Sequence, residues 1–367
     1  MSPNPRNSRV TFAAAVAGFG EDVKCHVAEY FATSSLSSKA GASMVAKTFI
    51  LLSVTFGAYG LILSNRFSPW QMLGLAFVMG VGVAGIGFGI AHDALHGAYS
   101  SRPWVNKLLG FSFELVGASG YMWKITHNVI HHTYPNIHGL DEDLEVSPFL
   151  RLSPQAKLRS IHRFQHLYAF AAYSLTTLSW VFIKDYRYFL MPDLGPFRDK
   201  KHPRSGVATL FTAKLLYYGY TIVIPLMVLK VAWWQFLIGL LVMHLTAGLI
   251  LGIVFQLAHV VEDTEHPSPE SNGQMDNAWM IHQMETTSNF AMSNRILSWY
   301  VGGLNYQVEH HLFPKVCSAH YPALSRIVRQ MAAKHGVPYH HHETIRAAIR
   351  SHYRTLKSLG NPLASSP

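Results

Sequence analysis

The sequence predicts an all-α integral membrane protein, with four transmembrane helices in two hairpins and a helical cap on the cytoplasmic side. Three observations carry this prediction. Only 14% of the 367 residues are charged and 49% are hydrophobic, against about 25% charged in an ordinary soluble domain. The deficit is concentrated in four apolar runs of about 20 residues, the length that crosses a ~30 Å hydrocarbon layer at 1.5 Å per residue. Lysine and arginine, finally, fall almost entirely on one side of those runs.

The runs lie at roughly 46–64, 71–91, 207–229 and 232–257. Asn65–Trp70 joins the first two and a few residues around Lys230 join the last two, both short enough for hairpin turns on the far side. Apart from Arg66 and Lys230, nearly all basic residues lie in the N-terminal segment, the 92–206 region or the stretch from 258 onward. The positive-inside rule therefore places all three polar regions in the cytoplasm. The chain divides into a cytoplasmic N-terminal segment over 1–45, a membrane domain over 46–360 and a tail over 361–367. No secretory signal peptide is visible. Two further apolar segments, Val105–Met122 and 164–183, carry Glu114 and His166 and read as helices in the cap or at the interface. Pro225 is expected to kink the third run, and Lys214 to reach the cytoplasmic interface along it.

The formal charge of +10 suits an anionic leaflet, a phosphorylated substrate or an acidic protein partner, and not a nucleic acid. Cys25 and Cys317 are too few for a disulfide framework or a thiolate metal site.

Three histidine clusters border the runs: His92-Asp-Ala-Leu-His96, His127-Asn-Val-Ile-His131-His132 and Gln307-Val-Glu-His310-His311. Imidazoles four apart share a helix face, and an adjacent third imidazole points off that face toward a second metal. His259, just past the fourth run, stands at the same depth. Neutral imidazole binds first-row metals, so the clusters predict a histidine-rich di-metal site at one membrane surface. Gln307 offers a neutral carbonyl oxygen or a hydrogen bond to metal-bound water. His162 and His166 repeat the spacing without a third imidazole and read as a decoy.

Metal-bound histidines usually give their second N–H to a carboxylate or carbonyl. Asp93 and Glu262 are the expected partners, whereas Asp141, Asp143, Asp263 and Glu309 read mostly as surface charges. His138 is expected beside the site or on the surface, and His340, His341 and His342 in a solvated turn. His244, in the middle of the fourth run, either lines a channel or hydrogen-bonds a neighbouring helix.

These boxes resemble those of the membrane fatty acid desaturases. The glutamine opening the third box is similar to the front-end branch, which adds a double bond between an existing one and the carboxyl end. The flanks agree: His92-Asp-Ala-Leu-His96-Gly-Ala-Tyr-Ser, Trp123-Lys-Ile-Thr-His127-Asn, Leu152-Ser-Pro and Trp299-Tyr-Val-Gly-Gly-Leu-Asn-Tyr-Gln307 through Pro314. The resemblance runs from about residue 40 to about 360 and is greatest to bacterial acyl-lipid or linoleoyl-CoA desaturases. It implies a four-span stem with a cytoplasmic cap and two iron ions that reduce O2 and take two hydrogens from adjacent methylenes; zinc can replace iron in purified protein. It further implies His92, His96, His127, His131, His132, His259, His310 and His311 as ligands, with Gln307 where other branches have histidine. The substrate would be a fatty acyl-CoA or acyl-lipid in the membrane. The His-Pro-Gly-Gly haem motif of fused cytochrome b5 domains does not occur, so electrons are expected from a separate ferredoxin or cytochrome b5. The expected location is a bacterial inner membrane (the endoplasmic reticulum in a eukaryote), with the site facing the cytoplasm. Gly82, Gly85, Gly87 and Gly89 then permit either close helix packing or room for the acyl chain.

Two rivals stand beside this reading. Hydroxylation, epoxidation or acetylenation would use the same ligand set. A histidine-rich metal transporter would also bind metal, but along a path at the bilayer midplane, where only His244 lies.

Overall fold

The computed structural model describes residues 10–14, 18–144 and 147–361; apart from Asn361, the expected tail therefore lies outside the described residues. The chain is mostly helical. Helix α1 (Phe19–Ser34) precedes α2 (Ala42–Leu63). Four helices among the described residues are long and apolar enough to cross a membrane: α2, α3 (Pro69–Leu95), α4 (Arg204–Val228) and α5 (Trp233–His259). They coincide with the four predicted runs to within a few residues. The third box lies on α6 (Gln307–Leu312), followed by α7 (Tyr321–His335) and α8 (Ile345–Gly360).

Local chemistry sets the helix ends. Ser68 caps α3 through a reciprocal pair with Gln71, and Pro69 occupies the first turn, where its missing N–H costs nothing. Asn65, in the left-handed region at φ 54°, donates to Val228 O and accepts from the Lys230 N–H. The α2–α3 and α4–α5 links thus meet at one end of the stem, and the histidine-bearing ends of α3 and α5 lie together at the other. Each of these helices has 27 residues, a rise of about 40 Å, which exceeds the thickness of a ~30 Å hydrocarbon layer.

Small residues bring the spans together. A Cβ at Gly80 would meet the Met243 backbone of α5, and one at Gly82 would strike Thr55 of α2. Gly85 faces Leu51 and Gly89 faces Lys47. The space beside these glycines is filled by neighbouring helices, which resolves their role in favour of packing.

Both ambiguous apolar segments break into short helices. The first separates into Pro103–Gly110, Ser112–Leu115 and Gly120–Trp123, with Gly117 at φ 93° between the last two. Lys214 departs from its expected place: it is buried, pairs with Asp185 at 2.8 Å and donates to Gly117 O and Val181 O. It pins these segments to α4 instead of reaching the interface. Near Pro225, α4 widens into a π turn over Gly219–Val223.

The N-terminal segment joins the main core. Phe19, Val23 and Val27 of α1 pack with Leu324 and Val328 of α7 and with Val308 and Leu312 beside the third box. Two short parallel ladders complete the frame: β1 (Thr11–Phe12) with β2 (Gln274–Met275), and β3 (Ser288–Phe290) with β4 (His340–His342). The expected solvated turn at His340–His342 is therefore a strand, because backbone pairing with Ser288–Phe290 depends little on side-chain polarity.

Candidate metal centre

Each box is delivered by a helix end, and two of them are re-aimed by wide turns. Over Gly87–Ala91, α3 opens into a π turn, and the His92 N–H reaches back to Gly87 O. The second box lies within a longer π segment, Lys124–His131, closed by the His132 N–H on His127 O at 3.0 Å. With five residues to the hydrogen-bonded turn, His127 and His132 come onto one face, their Nε2 atoms 3.2 Å apart. His259 is the last residue of α5, and Gln307, His310 and His311 ride on the single short helix α6.

Three groups of ring nitrogens result, within each of which the donor atoms lie no more than 4.8 Å apart. His92, His96, His127 and His310 form one, and His131, His259 and His311 form another. His132 forms the third with His310 and His311 and so stands between them. All nine residues named from the sequence are buried, Gln307 included.

The second nitrogens are anchored from outside. His131 Nδ1 faces Asp141 Oδ2 at 3.1 Å, and His259 Nδ1 faces Thr286 O at 3.2 Å. His310 Nδ1 meets the Tyr321 hydroxyl at 3.2 Å and His311 Nδ1 meets Gln283 Oε1 at 2.8 Å. These contacts leave Nε2 of His131, His259, His310 and His311 without a hydrogen-bond partner among the described residues, together with His96 Nε2, His92 Nδ1, His132 Nδ1 and Gln307 Oε1. Leaving so many buried polar atoms unmatched is costly. Anchored imidazoles whose free nitrogens converge are the donor set of first-row transition metals.

Electrostatics keeps most of the set in its ligating form. Burial, reinforced by neighbouring imidazoles, holds His96, His127, His132, His310 and His311 well below the usual imidazole range. They are therefore neutral at pH 7. His131 differs: burial opposes its charge, but the Asp141 carboxylate outweighs that and raises it. Trp123 stacks on His127 with ring centres 4.3 Å apart, and Phe255 packs against His131 and His259, giving the site dry walls.

The carboxylates are distributed otherwise than expected. Asp141, expected at the surface, is buried beside His131 and also accepts from the backbone N–H groups of Asn136 and Asp143. Asp143 pairs with Lys184 at 2.9 Å and lies 4.0 Å from His127 Nδ1. Glu309 is likewise buried, held by Asn289 and Tyr339, and its carboxyl is pushed up to about 7 by that burial. Asp93 is 3.8 Å from His92 Nδ1, while its Oδ2 accepts from the backbone and hydroxyl of Ser318. Glu262 belongs to none of the convergent groups among the described residues, its carboxylate 3.8 Å from Arg354 in a solvated position. The chain turns away after His259, and Asn136, donating to His259 O, occupies that side instead.

Three histidines weighed from the sequence lie outside the convergent groups found among the described residues. His162 bonds the Arg159 N–H and Pro148 O. His244 bonds Thr177 and Tyr217, which settles it as a link between helices. His138 belongs to none of the convergent groups. Sequence reasoning missed Gln283, Thr286 and Tyr321, which carry no spacing signal. Asp141 had one, lying in the loop that leaves the second box.

Comparisons with known proteins agree with this geometry. Residues 68–343 match the family model described as fatty acid desaturase. The chain is 37% identical over 348 residues to the sn-1 linoleoyl-lipid 6-desaturase of Synechocystis sp., covering 94% of this chain and 96% of the relative. It is 36% identical over 359 residues to the protein of the same name from Arthrospira platensis, covering 97% and 96%. An acyl-lipid (8-3)-desaturase of Physcomitrium patens is 33% identical over 340 residues, covering 92% of this chain and 71% of the relative.

Proposed function

Since the chain belongs to the fatty acid desaturase family, and is thus a membrane oxidoreductase of lipid metabolism, we propose that it is a front-end desaturase. It would insert a double bond into an acyl chain on the carboxyl side of an existing one. The supporting observation is the convergence of buried, anchored histidines beside the ends of α3 and α5.

Two iron ions fit the donor set. In this reading His92, His96, His127 and His310 hold one, and His131, His259 and His311 hold the other. His132 stands between them, with Gln307 as a further oxygen donor. When bound, the iron pair with O2 supplies the oxidising power that an unactivated methylene requires and that acid–base side chains lack. Overall, one CH2–CH2 unit, O2, two electrons and two protons give one CH=CH unit and two waters. The protein's own share is to orient the imidazoles through Asp141, Gln283, Thr286 and Tyr321, to keep most of them neutral by burial, and to exclude bulk water with Trp123 and Phe255.

The wider arrangement follows from the same reading. The four spans form two hairpins whose links lie on the far side, and the cap carries the site on the cytoplasmic face of a bacterial inner membrane. Residues 46–360 act as one desaturase unit. Electrons come from a separate ferredoxin or cytochrome b5. A landing face for such an acidic partner is the exposed stripe Arg346, Arg350, Arg354 and Lys357 on α8.

The test is a fatty acid profile by gas chromatography–mass spectrometry. A host supplied with an electron donor and linoleate would express the wild type or His310→Ala. A triene with its new double bond on the carboxyl side, absent from the variant, is the expected result. A new bond on the methyl side would overturn the front-end assignment, and an oxygenated product would replace desaturation by hydroxylation or epoxidation.

A further inference from the structure

Beside the first box lies a cavity of about 610 Å³ whose wall includes His96. Four lysines line it, Lys39, Lys107, Lys124 and Lys315, and no carboxylate does. Lys107, Lys124 and Lys315 are exposed, and none of them makes a salt bridge among the described residues. Ammonium groups gathered around one hollow repel each other unless an anion joins them, and lysine is a common phosphate binder.

The hollow is also built to hold its shape. Lys39 Nζ donates to Gly97 O and to Lys315 O, both at 2.9 Å, joining the chain before α2 to the loops after the first and third boxes. Asn106 braces the same rim, accepting from the Ser100 N–H at 2.9 Å and donating to Ser100 O at 2.6 Å. Gly97, at φ 72°, has open space where a Cβ would stand. The backbone rim of the hollow is therefore braced before any ligand arrives, while the Lys107, Lys124 and Lys315 ammonium groups stay exposed and unpaired among the described residues.

Its position matches the chemistry. Oxidation near the carboxyl end leaves only a few methylenes between the metals and the ester, so the carrier's polar group must sit close to the histidines. We propose that this cavity binds the phosphate of the acyl carrier, which makes the substrate a phospholipid or an acyl-CoA rather than an uncharged glycolipid. The inference rests on the front-end reading above and adds the carrier class to it.

The experiment compares linoleoyl-CoA, dilinoleoyl phosphatidate and dilinoleoyl galactosyl diacylglycerol with the full-length, metal-loaded enzyme in nanodiscs. Lys107→Ala/Lys124→Ala/Lys315→Ala is set against the triple arginine variant and against Lys24→Ala/Lys157→Ala/Lys201→Ala, which removes equal charge elsewhere. Expected is a rise of at least tenfold in KM for one or both phosphorylated donors, with a much smaller change in kcat. Arginine should restore the KM, and raised salt should weaken binding in the wild type. A rise for only one phosphorylated donor identifies the carrier and supports the proposal. An equal shift for the galactolipid, or the same shift in the distant-lysine control, overturns it.

Binding is also measured directly with unreactive stearoyl-CoA and stearoyl phosphatidate, so the carrier is decided without turnover. If the wild type binds these ligands through the lysines yet oxidises no donor, the desaturase reading fails while the phosphate site stands.

Discussion

Asp141 shows how one side chain can govern a site it does not enter. It takes the His131 Nδ1 contact on one oxygen, and two backbone N–H groups hold the carboxylate in place. That contact orients the ring and leaves Nε2 free, and in the proposed metal site it would raise the basicity of the ligand. Asp141→Ala is expected to weaken metal binding by about 10- to 100-fold, read by metal titration of the purified protein. Glu262→Ala, altering a solvated group beside Arg354, should leave affinity within about twofold. Equal losses in the two variants would remove Asp141 from its positioning role. The sequence offered Glu262, three residues past His259, but distance along the chain is a poor guide once a helix ends.

At the level of elements, α8 is fastened to the rest by His352. Its Nδ1 faces Val260 O at 2.6 Å and its Nε2 faces the Tyr173 hydroxyl at 2.9 Å. Nδ1 donates to the carbonyl and Nε2 shares a hydrogen bond with the hydroxyl, so both ring nitrogens are matched inside the protein. Burial lowers its pKa from the ordinary 6.5 to about 4, against the opposing pull of the Val260 carbonyl. Below pH 6.5 the unfolded chain takes up this proton and the folded one does not. The contribution is thus intact above pH 6.5 and is lost progressively as pH falls toward 4, by at most about 3 kcal/mol. Thermal unfolding in detergent at pH 7 and pH 5 should show this drop, and His352→Gln should make it shallower. An unchanged pH slope in the variant would exclude His352 as the group responsible. The π turns before and within the first two boxes belong to the same scale. A spacing of four residues announces a helix face but does not say whether the turn holds 3.6 residues or more.

Across the whole molecule, the candidate metal site draws on segments far apart in sequence: the end of α3, the second box, the end of α5 and α6. A metal bound only by the folded state should stabilise all of them at once, by about 2.7 kcal/mol at a hundredfold excess over Kd. Removing metal with a chelator is expected to lower the unfolding temperature, and adding Fe2+ back should restore it. His310→Ala, lacking a donor in two of the three groups, should respond much less. Identical unfolding curves with and without metal would mean that the histidines do not cross-link these segments.

The spans and the boxes were legible in the sequence because their causes are local. A bilayer demands an uninterrupted apolar run, and ligands on one helix must recur at its turn. From these followed the four helices long and apolar enough to cross a membrane and the eight histidines that the fold brings together, with Gln307 buried on the same short helix as two of them. What lay beyond the sequence was set by contacts between distant segments. Asp141, Gln283 and Tyr321 reach their histidines only after the chain has folded back. Lys214 finds Asp185 only because α4 packs on the broken helices, and four lysines from separate segments line one cavity only after the chain has folded, with Lys39 joining the loops after the first and third boxes. Local periodicity records which face of a helix is apolar or ligating. It holds no information about which other face it will meet, because that choice is made by packing the whole chain around one core.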